Sequence, residues 1–182
     1  WSGSSVSGAG DVNGEGVEDV LGAPRADPNA HEYAGETYVV FGRANGFPAA
    51  FELRSLHPQA GGDGSAGFIL KGIDSYDGSG FSVSGAGDVN GDGIEDLLIG
   101  APGGKAHGQI YAGESYVVFG RTTGFPPALG LRSLYPSEGG DGSAGFVLKG
   151  IDQLDYSGAS ASGAGDLNGD GIDDVVIGAL LA

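Results

Sequence analysis

The sequence predicts an all-β protein built from small sheets that repeat along the chain. Glycine supplies 39 of the 182 residues, about three times its ordinary frequency, and an interior glycine costs an α-helix up to ~1 kcal/mol relative to alanine. Short apolar runs bounded by Gly, Pro, Asp or Ser recur along the chain, and such runs are typical of β-strands. The third observation is the repetition itself: the segment that begins at Ser82 has close counterparts that begin at Ser5 and Ser160.

The repeat is 77 or 78 residues long. Its leading aspartates are Asp11, Asp88 and Asp166, and the difference of one residue arises just after Asp19, where the second strand of the first copy is shorter. We therefore predict three units: residues 1–77, residues 78–155 and residues 156–182, of which the last contains only the first half of a repeat. We expect the chain to be a segment of a longer protein or to be completed by association.

One complete repeat contains four strand candidates, which in the second copy span residues 80–85, 96–101, 114–119 and 144–149. The second and third candidates are almost continuously apolar, which indicates strands covered on both faces. A four-stranded antiparallel sheet of this kind, repeated in tandem, is the blade of a β-propeller. We therefore predict about two and a half blades. The insert at residues 121–142 contains three prolines and is predicted to be a long surface loop with one helical turn near residues 129–134.

Charge and composition exclude several functions. The chain has 24 acidic residues against eight Lys and Arg, a formal net charge of −16, which repels nucleic acid and anionic membrane surfaces. The absence of cysteine excludes disulfides, thiol catalysis and zinc sites built on thiolates. The longest apolar run, residues 175–182, is far shorter than the ~20 residues that a membrane-spanning helix needs. We therefore expect no nucleic-acid partner and no membrane insertion in this segment.

A nine-residue acidic loop separates the first and second strands of each copy. Oxygen-bearing side chains occupy positions 1, 3, 5 and 9, and glycine occupies position 6, where a sharp turn needs unusual backbone angles. Four side chains and the carbonyl at position 7 suit Ca²⁺, which takes six to eight oxygen ligands. We expect the apolar residues at positions 2 and 7 to point inward and anchor the loop, and the acid at position 8 to face outward. The predicted ligands are Asp11, Asn13, Glu15, Val17 and Asp19 in the first loop, Asp88, Asn90, Asp92, Ile94 and Asp96 in the second, and Asp166, Asn168, Asp170, Ile172 and Asp174 in the third.

Two other interpretations of these loops were weighed. An EF-hand requires a glutamate at position 12 and flanking helices, whereas position 12 here is Gly22, Ile99 or Ile177 inside a strand. The loops could also be plain turns, because Asp, Asn and Gly favour turns. Against that interpretation, the three loops contain twelve of the 24 acids, and such crowding destabilises a chain that binds no cation. We predict up to three Ca²⁺ ions, with the first site weakest because Glu15 replaces Asp and the following strand is shorter.

These motifs together resemble the FG-GAP repeat of integrin α-subunit β-propellers, over essentially the whole chain. Gly80-Phe81-Ser82-Val83 resembles the opening strand, residues 88–96 the cation loop, Gly100-Ala101-Pro102 the GAP element, and residues 115–119 the third strand. The resemblance implies a seven-bladed propeller in the parent protein, calcium on one face of the disc, an extracellular or cell-surface location and a ligand-binding role. Ser4 and Ala159 stand where Phe81 stands, and Ala179-Leu180 replaces Ala-Pro. The near-identical copies suggest a microbial integrin-like protein.

The sequence favours a binding module over an enzyme. His31, His57 and His107 occupy no equivalent positions in the copies, so no convergent catalytic set is recognised. The predicted function is a calcium-binding, non-enzymatic propeller for cell adhesion or protein–protein interaction. The alternatives are an accessory propeller segment attached to an extracellular enzyme, and a structural spacer.

Two further expectations concern the remaining acids and the last strands. The acids at Asp63, Asp141, Asp74 and Asp77 are interpreted as turn formers, with an auxiliary cation site as the alternative. Strands near residues 158–163 and 174–179 should pair and leave the apolar residues 175–177 on an open edge. Because open strands are templates for pairing with another chain, we expect self-association alongside contacts with a protein ligand or neighbouring blades.

Overall fold

A computed structural model of the chain describes residues 5–22 and 26–182. In these residues the protein is all-β, as predicted, and contains no α-helix; none of its short helical turns has the length and apolar character to cross a membrane. The strands are β1 (Val6–Gly10), β2 (Asp19–Gly22), β3 (Glu36–Val40), β4 (Gly67–Lys71), β5 (Ser82–Gly87), β6 (Asp96–Ala101), β7 (Glu114–Val118), β8 (Ala128–Gly130), β9 (Gly145–Lys149), β10 (Ser157–Gly165) and β11 (Asp174–Ala179). Six 3₁₀ turns span Pro28–Ala30, Leu53–Leu56, Pro58–Ala60, Ala106–Gly108, Leu131–Leu134 and Pro136–Glu138.

The strands form three sheets that follow the repeat. Blade 1 has the strand order β1-β2-β3-β4-β8, blade 2 has β5-β6-β7-β9, and the third sheet is the pair β10-β11. All neighbours are antiparallel except β4 and β8. The prediction of four-stranded blades and a final half blade is therefore confirmed. The unit boundaries at residues 77/78 and 155/156 stay a prediction, and β8, from the second unit, pairs with the sheet of the first.

The first strand of blade 2 begins later than predicted. Residues 80–85 were expected, whereas β5 spans Ser82–Gly87. Gly80 has a φ of 84°, outside the β region, and the regular ladder with β6 begins only at Ser82, opposite Gly100. A bulge between Gly85 and Gly87 then leads the strand into the acidic loop.

The core lies between the sheets, and the central strands contribute to both of its parts. Leu97 and Ile99 of β6 are buried in the cluster shared by blades 1 and 2, whereas Leu98 between them is buried in the cluster shared with the third sheet. The third strand alternates in the same way, with Tyr116 on one side and Val117 on the other. Continuously apolar strands are thus covered on both faces, as the sequence predicts.

The insert at residues 121–142 was predicted to be a surface loop, but it also packs against blade 1. Its helical turn is present as the 3₁₀ turn Leu131–Leu134, and both of those leucines are buried. Ahead of that turn, β8 pairs in parallel with β4 of blade 1, with Ala128 opposite Ile69. Phe125, only 6% exposed, packs against the same blade. The insert therefore contributes to the contact between blade 2 and blade 1. The prolines and glycines of its sequence do not indicate this contact.

Candidate metal centre

Each acidic loop joins the first two strands of its sheet, so the three loops lie at corresponding ends of the sheets. Loop 1 (residues 11–19) connects β1 to β2, loop 2 (residues 88–96) connects β5 to β6, and loop 3 (residues 166–174) connects β10 to β11. All the residues predicted to bind calcium lie in these loops, five in each. The position of a residue below is its place within the nine.

Loop 2 is folded around the carboxylate of Asp88 at position 1. Its Oδ1 accepts hydrogen bonds from the amides of Gly91 (2.7 Å) and Asp92 (3.0 Å), and its Oδ2 accepts one from Gly93 (2.7 Å). Gly91 and Gly93 have φ angles of 76° and 84°, which L-residues rarely adopt. These glycines therefore let three successive amides point towards one carboxylate.

The side chains at positions 3 and 5 also turn towards their own loop. Asn90 Oδ1 accepts from the amide of Asp92 (2.9 Å), and Asp92 Oδ1 accepts from the amide of Ile94 (2.9 Å). Loop 3 repeats the whole pattern with Asp166, Asn168 and Asp170. The amide of Gly171 contributes most to lowering the pKa of Asp166 below its ordinary value. The oxygens at positions 1, 3 and 5 are thus ordered by backbone amides rather than by other side chains.

The aspartate at position 9 of loops 1 and 2 is buried where its strand begins, whereas Asp174 of loop 3 is partly buried. Asp96 is fully buried, and its carboxylate accepts from the amides of Val89 (3.0 Å) and Gly120 (2.8 Å). Burial, with a smaller contribution from the negative charges of Asp92 and Asp88, raises the pKa of Asp96 to about 6. Asp19 of loop 1 has the same environment and a pKa that burial likewise raises to about 6. A carboxylate whose charge is disfavoured by burial and by like charges is stabilised by a nearby cation.

Loop 1 differs from the other two at positions 4 and 5. Asp11 accepts from the amides of Glu15 (2.9 Å) and Gly16 (2.6 Å), and Asn13 accepts from Glu15 (3.0 Å), as in the other loops. Within residues 11–19, the amide of Gly14 makes no hydrogen bond to Asp11 like those that Gly91 and Gly169 make in loops 2 and 3. Within residues 11–19, however, no hydrogen bond joins the amide of Val17 to the side chain of Glu15, whereas the aspartates of loops 2 and 3 make that bond. The longer glutamate side chain therefore leaves one turn of loop 1 unclosed.

The apolar positions 2 and 7, which we expected to point inward, do so unevenly. Val12 is fully buried, and Ile94 is partly buried. In loop 3, by contrast, Leu167 is 68% exposed and Ile172 is 40% exposed. Inward anchoring is therefore correct for loop 1 and wrong for loop 3, because anchoring requires a neighbouring sheet against which these side chains can pack.

Of the acids at position 8, which we expected to face outward, Asp173 bonds to the preceding loop and Glu95 lies against Gly10, the last residue of β1. Asp173 Oδ2 accepts from the amide of Asp88 (2.9 Å), and the amide of Asp173 donates to the carbonyl oxygen of Asp88 (3.1 Å). Glu95 lies over Gly10, where an added Cβ would be 2.5 Å from the glutamate Cγ. Glu18 is exposed, and its side chain makes no hydrogen bond to another loop in the described residues. The recurrence of an acid at position 8 in all three loops is the sequence signal that could have indicated this role.

The donor chemistry of the loops fits a hard cation such as Ca²⁺, because every side chain at positions 1, 3, 5 and 9 presents oxygen. Within residues 5–22 and 26–182, no three acidic or histidine side chains form a ready-made metal cluster. Their oxygens accept amide hydrogen bonds instead, and a carboxylate oxygen that accepts one such bond keeps another lone pair for a cation. Calcium binding would therefore add to the loop hydrogen bonds rather than require their complete loss.

The other acids that the sequence analysis singled out form turns. Asp63 and Asp141 each accept from the serine two residues later, through both its amide and its hydroxyl. Asp77 Oδ2 accepts from the amide of Asp74 (2.8 Å). Its Oδ1 is buried and has no hydrogen-bond partner in the described residues. Asp77 also lines a cavity of about 320 Å³ together with Glu114, Lys105 and Lys149.

Replacing Asp77 with asparagine is expected to remove a pH-dependent cost of folding. Burial raises the pKa of Asp77 from 3.8 to about 6, so the folded protein disfavours its ionised form. Ionisation of Asp77 therefore lowers the free energy of unfolding of the wild type as pH rises from about 4 to 6. The total loss is roughly 3 kcal/mol, and it persists above pH 6. Urea unfolding of Asp77→Asn and wild type between pH 4 and 8 should show a difference that grows up to pH 6 and then levels off. A difference independent of pH would contradict this assignment.

Comparison with known proteins identifies the repeat. The family model described as "FG-GAP repeat" matches residues 79–118 and 157–182. Integrin alpha-4 of Xenopus laevis is 32% identical over 184 residues, which cover 100% of this chain and 14% of that protein. Integrin alpha-5 of Xenopus laevis is 30% identical over 185 residues, covering 99% of this chain and 15% of that protein. The chain thus spans about a seventh of the length of these relatives.

A different kind of protein matches over a shorter segment. Phosphatidylinositol-glycan-specific phospholipase D of Homo sapiens is 37% identical over 93 residues, which cover 50% of this chain and 10% of that protein. The family match includes β5 to β7 and β10 to β11, and therefore loops 2 and 3. Because the integrin similarity extends over the whole chain and the repeat model matches the same strands and loops, the chain is built of FG-GAP repeats and is homologous to integrin alpha subunits.

Proposed function

We propose that this chain is a calcium-binding, non-enzymatic β-propeller segment that serves cell-surface adhesion or protein–protein interaction. The observation that carries the proposal is the threefold recurrence of one oxygen pattern. In each loop, backbone amides order the oxygens at positions 1 and 3, and an aspartate that begins a strand stands at position 9. Turn formation alone does not require an acid at position 9 of loops 1 and 2, where Asp19 and Asp96 are buried and their ionisation is unfavourable.

The side chains at positions 1, 3, 5 and 9 and the carbonyl at position 7 would hold the ion, with up to three ions per chain. A bound Ca²⁺ supplies positive charge beside the loop carboxylates. Asp19 and Asp96 would gain most, because burial disfavours their ionised forms. Loop 1 would bind most weakly, since Glu15 makes no turn-closing hydrogen bond with Val17 of the kind that Asp92 makes with Ile94.

Homology supports the adhesion part of the proposal and an extracellular or cell-surface location. The integrin alpha relatives match the chain from end to end. The alternative, an accessory propeller segment of an extracellular enzyme, is favoured by the phospholipase D relative, which matches half of the chain. The domains that adjoin this segment in its full-length protein would separate the two: a catalytic domain favours the alternative, and a stalk or membrane anchor favours adhesion. Self-association through the edge strand β11, where Val176 is 52% exposed, also stays a prediction.

Calcium is expected to raise the melting temperature of the chain. A ligand that binds only the folded state at a hundredfold excess over its Kd stabilises by about 2.7 kcal/mol per site, a rise of roughly 5–10 °C for a chain of this size. A thermal melt with chelator, then with millimolar Ca²⁺ or Zn²⁺, tests this expectation. An unchanged midpoint with calcium, or a larger effect of zinc, would contradict the proposal.

Calorimetric titration of variants assigns the sites. Asp88→Ala and Asp166→Ala should each remove one site. The control Glu18→Ala, at the exposed position 8 of loop 1, should leave the affinities nearly unchanged. Three equally tight sites in the wild type would show that loop 1 is not the weakest.

A further inference from the structure

A polar cavity of about 320 Å³ lies between blade 2 and the connection that leads to it from blade 1. Ile73, Asp74 and Asp77 of that connection line it, and the other lining residues belong to blade 2, with Glu114 at the start of β7. Because Glu114 pairs with Ala101 at the end of β6, the cavity lies at the opposite end of the strands from loop 2. It is therefore separate from the acidic loops.

The floor of the cavity, by which we mean its buried lining residues, carries two carboxylates. Asp77 is 3% exposed and Glu114 is 5% exposed. Burial chiefly raises the pKa of Asp77, and the negative charges of Asp74 and Glu114 add to that rise, so the two buried carboxyl groups lie close to each other. Ile73 is also buried and lines the same cavity. The floor thus combines two acidic groups with one aliphatic side chain.

Both carboxylates keep hydrogen-bonding capacity that their own chain does not use. Asp77 Oδ2 accepts from the amide of Asp74, whereas Asp77 Oδ1 is buried and has no partner in the described residues. The phenols of Tyr116 (2.8 Å) and Tyr135 (2.5 Å) both donate to Glu114 Oε2, which leaves Glu114 Oε1 outside these two bonds. A buried acceptor without a donor is costly. Donors from a ligand would therefore stabilise this floor.

Exposed basic side chains surround the opening of the cavity. Lys105, Arg132 and Lys149 all line it and are all exposed. Arg132 is already paired, because its guanidinium nitrogens lie 2.9 Å from Asp74 and 3.9 Å from Glu138. Among the residues that the structure describes, no carboxylate forms an ion pair with Lys105 or Lys149. The cavity thus has two acidic groups at its floor and two unpaired ammonium groups at its rim.

We propose that this cavity binds a free α-amino acid in its zwitterionic form. The ammonium group of the ligand donates to Asp77 Oδ1 and Glu114 Oε1, and its carboxylate lies towards Lys105 and Lys149 at the rim. An ammonium group has three donors and no acceptor, so it can satisfy both floor carboxylates at once. Charge-assisted bonds of this kind are about twice as strong as bonds between neutral groups. The volume of the cavity is at the small end for ligand sites, which suits a ligand of this size.

A metal ion and a simple amine match the cavity less closely. A hard cation such as Ca²⁺ takes six to eight oxygen ligands, and in the described part of the chain no three acidic or histidine side chains come together to hold a metal. An amine without a carboxylate leaves Lys105 and Lys149 unpaired and is repelled by them. A zwitterion pairs with both the floor and the rim and leaves the net charge of the cavity unchanged.

Titration of the isotope-labelled chain with L-leucine and with L-serine, followed by the amide resonances of residues 77 and 105, tests the proposal. Leucine is included because Ile73 offers an apolar contact. Two analogues keep the carbon skeleton of leucine: isoamylamine lacks the carboxylate, and 4-methylpentanoate lacks the ammonium group. We expect saturable shifts with leucine, and affinities for both analogues that are lower by about tenfold or more.

Asp77→Asn tests the floor, and Asp155→Asn is its matched control. Asparagine keeps an oxygen for the amide of Asp74 but removes the charge, so this variant should fold at least as stably as the wild type and bind leucine about thirtyfold more weakly, or worse. Asp155 accepts from the amide of Asp152 (2.9 Å) in the same kind of turn but does not line the cavity. Asp155→Asn should therefore bind leucine as the wild type does.

The double variant Lys105→Gln with Lys149→Gln tests the rim. It should lose affinity for leucine but not for isoamylamine, whereas Lys71→Gln, at the corresponding position of blade 1 and outside the cavity, should change neither. The proposal is overturned if neither amino acid shifts the two resonances at up to about 20 mM, or if Asp77→Asn binds leucine as tightly as Asp155→Asn. It is also overturned if isoamylamine binds as tightly as leucine, or if Ca²⁺ shifts the Lys105 resonance in the wild type and not in Asp77→Asn.

Discussion

Replacing Val117 with lysine is expected to unfold the second blade. Val117 lies in β7 and is fully buried. It packs with Leu98 and Ala161 in the cluster between blade 2 and the third sheet. An ammonium group at this place loses its hydration and gains no described partner, a change that costs more than about 4 kcal/mol. Since domains of this size are stable by about 5–15 kcal/mol in total, Val117→Lys should lose its cooperative urea transition and its native β circular dichroism.

The matched control is Val176→Lys on β11. Val176 is also a valine in a strand but is 52% exposed, so its lysine variant can keep its charge in water and should unfold close to the wild-type urea concentration. Equal destabilisation by the two substitutions would mean that the face of β7 is not buried as described. A folded, cooperative Val117→Lys would lead to the same conclusion.

Phe125→Ala is expected to be the second most damaging change, at about 3–5 kcal/mol. Its ring stacks on Phe68 and lies 6.1 Å from Phe41, so truncation leaves a cavity at the contact between two blades. Arg121 would also lose the ring that its guanidinium covers. Urea unfolding, measured at low protein concentration, reports the loss of stability.

Phe47→Ala is the internal control for this prediction. It makes the same chemical change in the same local sequence, Gly-Phe-Pro, but at a ring that is 51% exposed. Its effect on the stability of the dilute chain should stay within about 0.5 kcal/mol. Similar losses for Phe125→Ala and Phe47→Ala would show that the segment matters through local turn structure and not through its contact with blade 1.

The loops contact one another, which matters for the calcium sites that we propose. Asp173 of loop 3 is hydrogen-bonded to the amide of Asp88, the first residue of loop 2. Burial and the neighbouring charges of Asp173 and Asp88 raise the pKa of Glu95, the corresponding residue of loop 2. The loops therefore form a connected acidic row across the blades, in which a cation at one loop also relieves repulsion at the next.

Features that depend on local physics can be predicted from the sequence alone. Alternation of Leu97, Leu98 and Ile99 between two core clusters follows from a continuously apolar strand, and the four-stranded blades follow from the spacing of such strands. The turn around Asp88 follows from two glycines at positions that need a positive φ. The positive-φ glycines of this turn recur in all three loops, because residues close along the chain create the turn.

Which copies of a motif are buried, and what they contact, depends on the packing of the sheets in three dimensions. The same Gly-Phe-Pro sequence packs on a neighbouring blade at Phe125 and lies exposed at Phe47. The same position 8 carboxylate is free at Glu18 and crosses to another loop at Asp173. The unpaired oxygen of Asp77 had no sequence signal at all. In each case the difference is the presence or absence of an adjacent sheet, because burial and electrostatic environment depend on neighbours in space that a local sequence pattern does not specify.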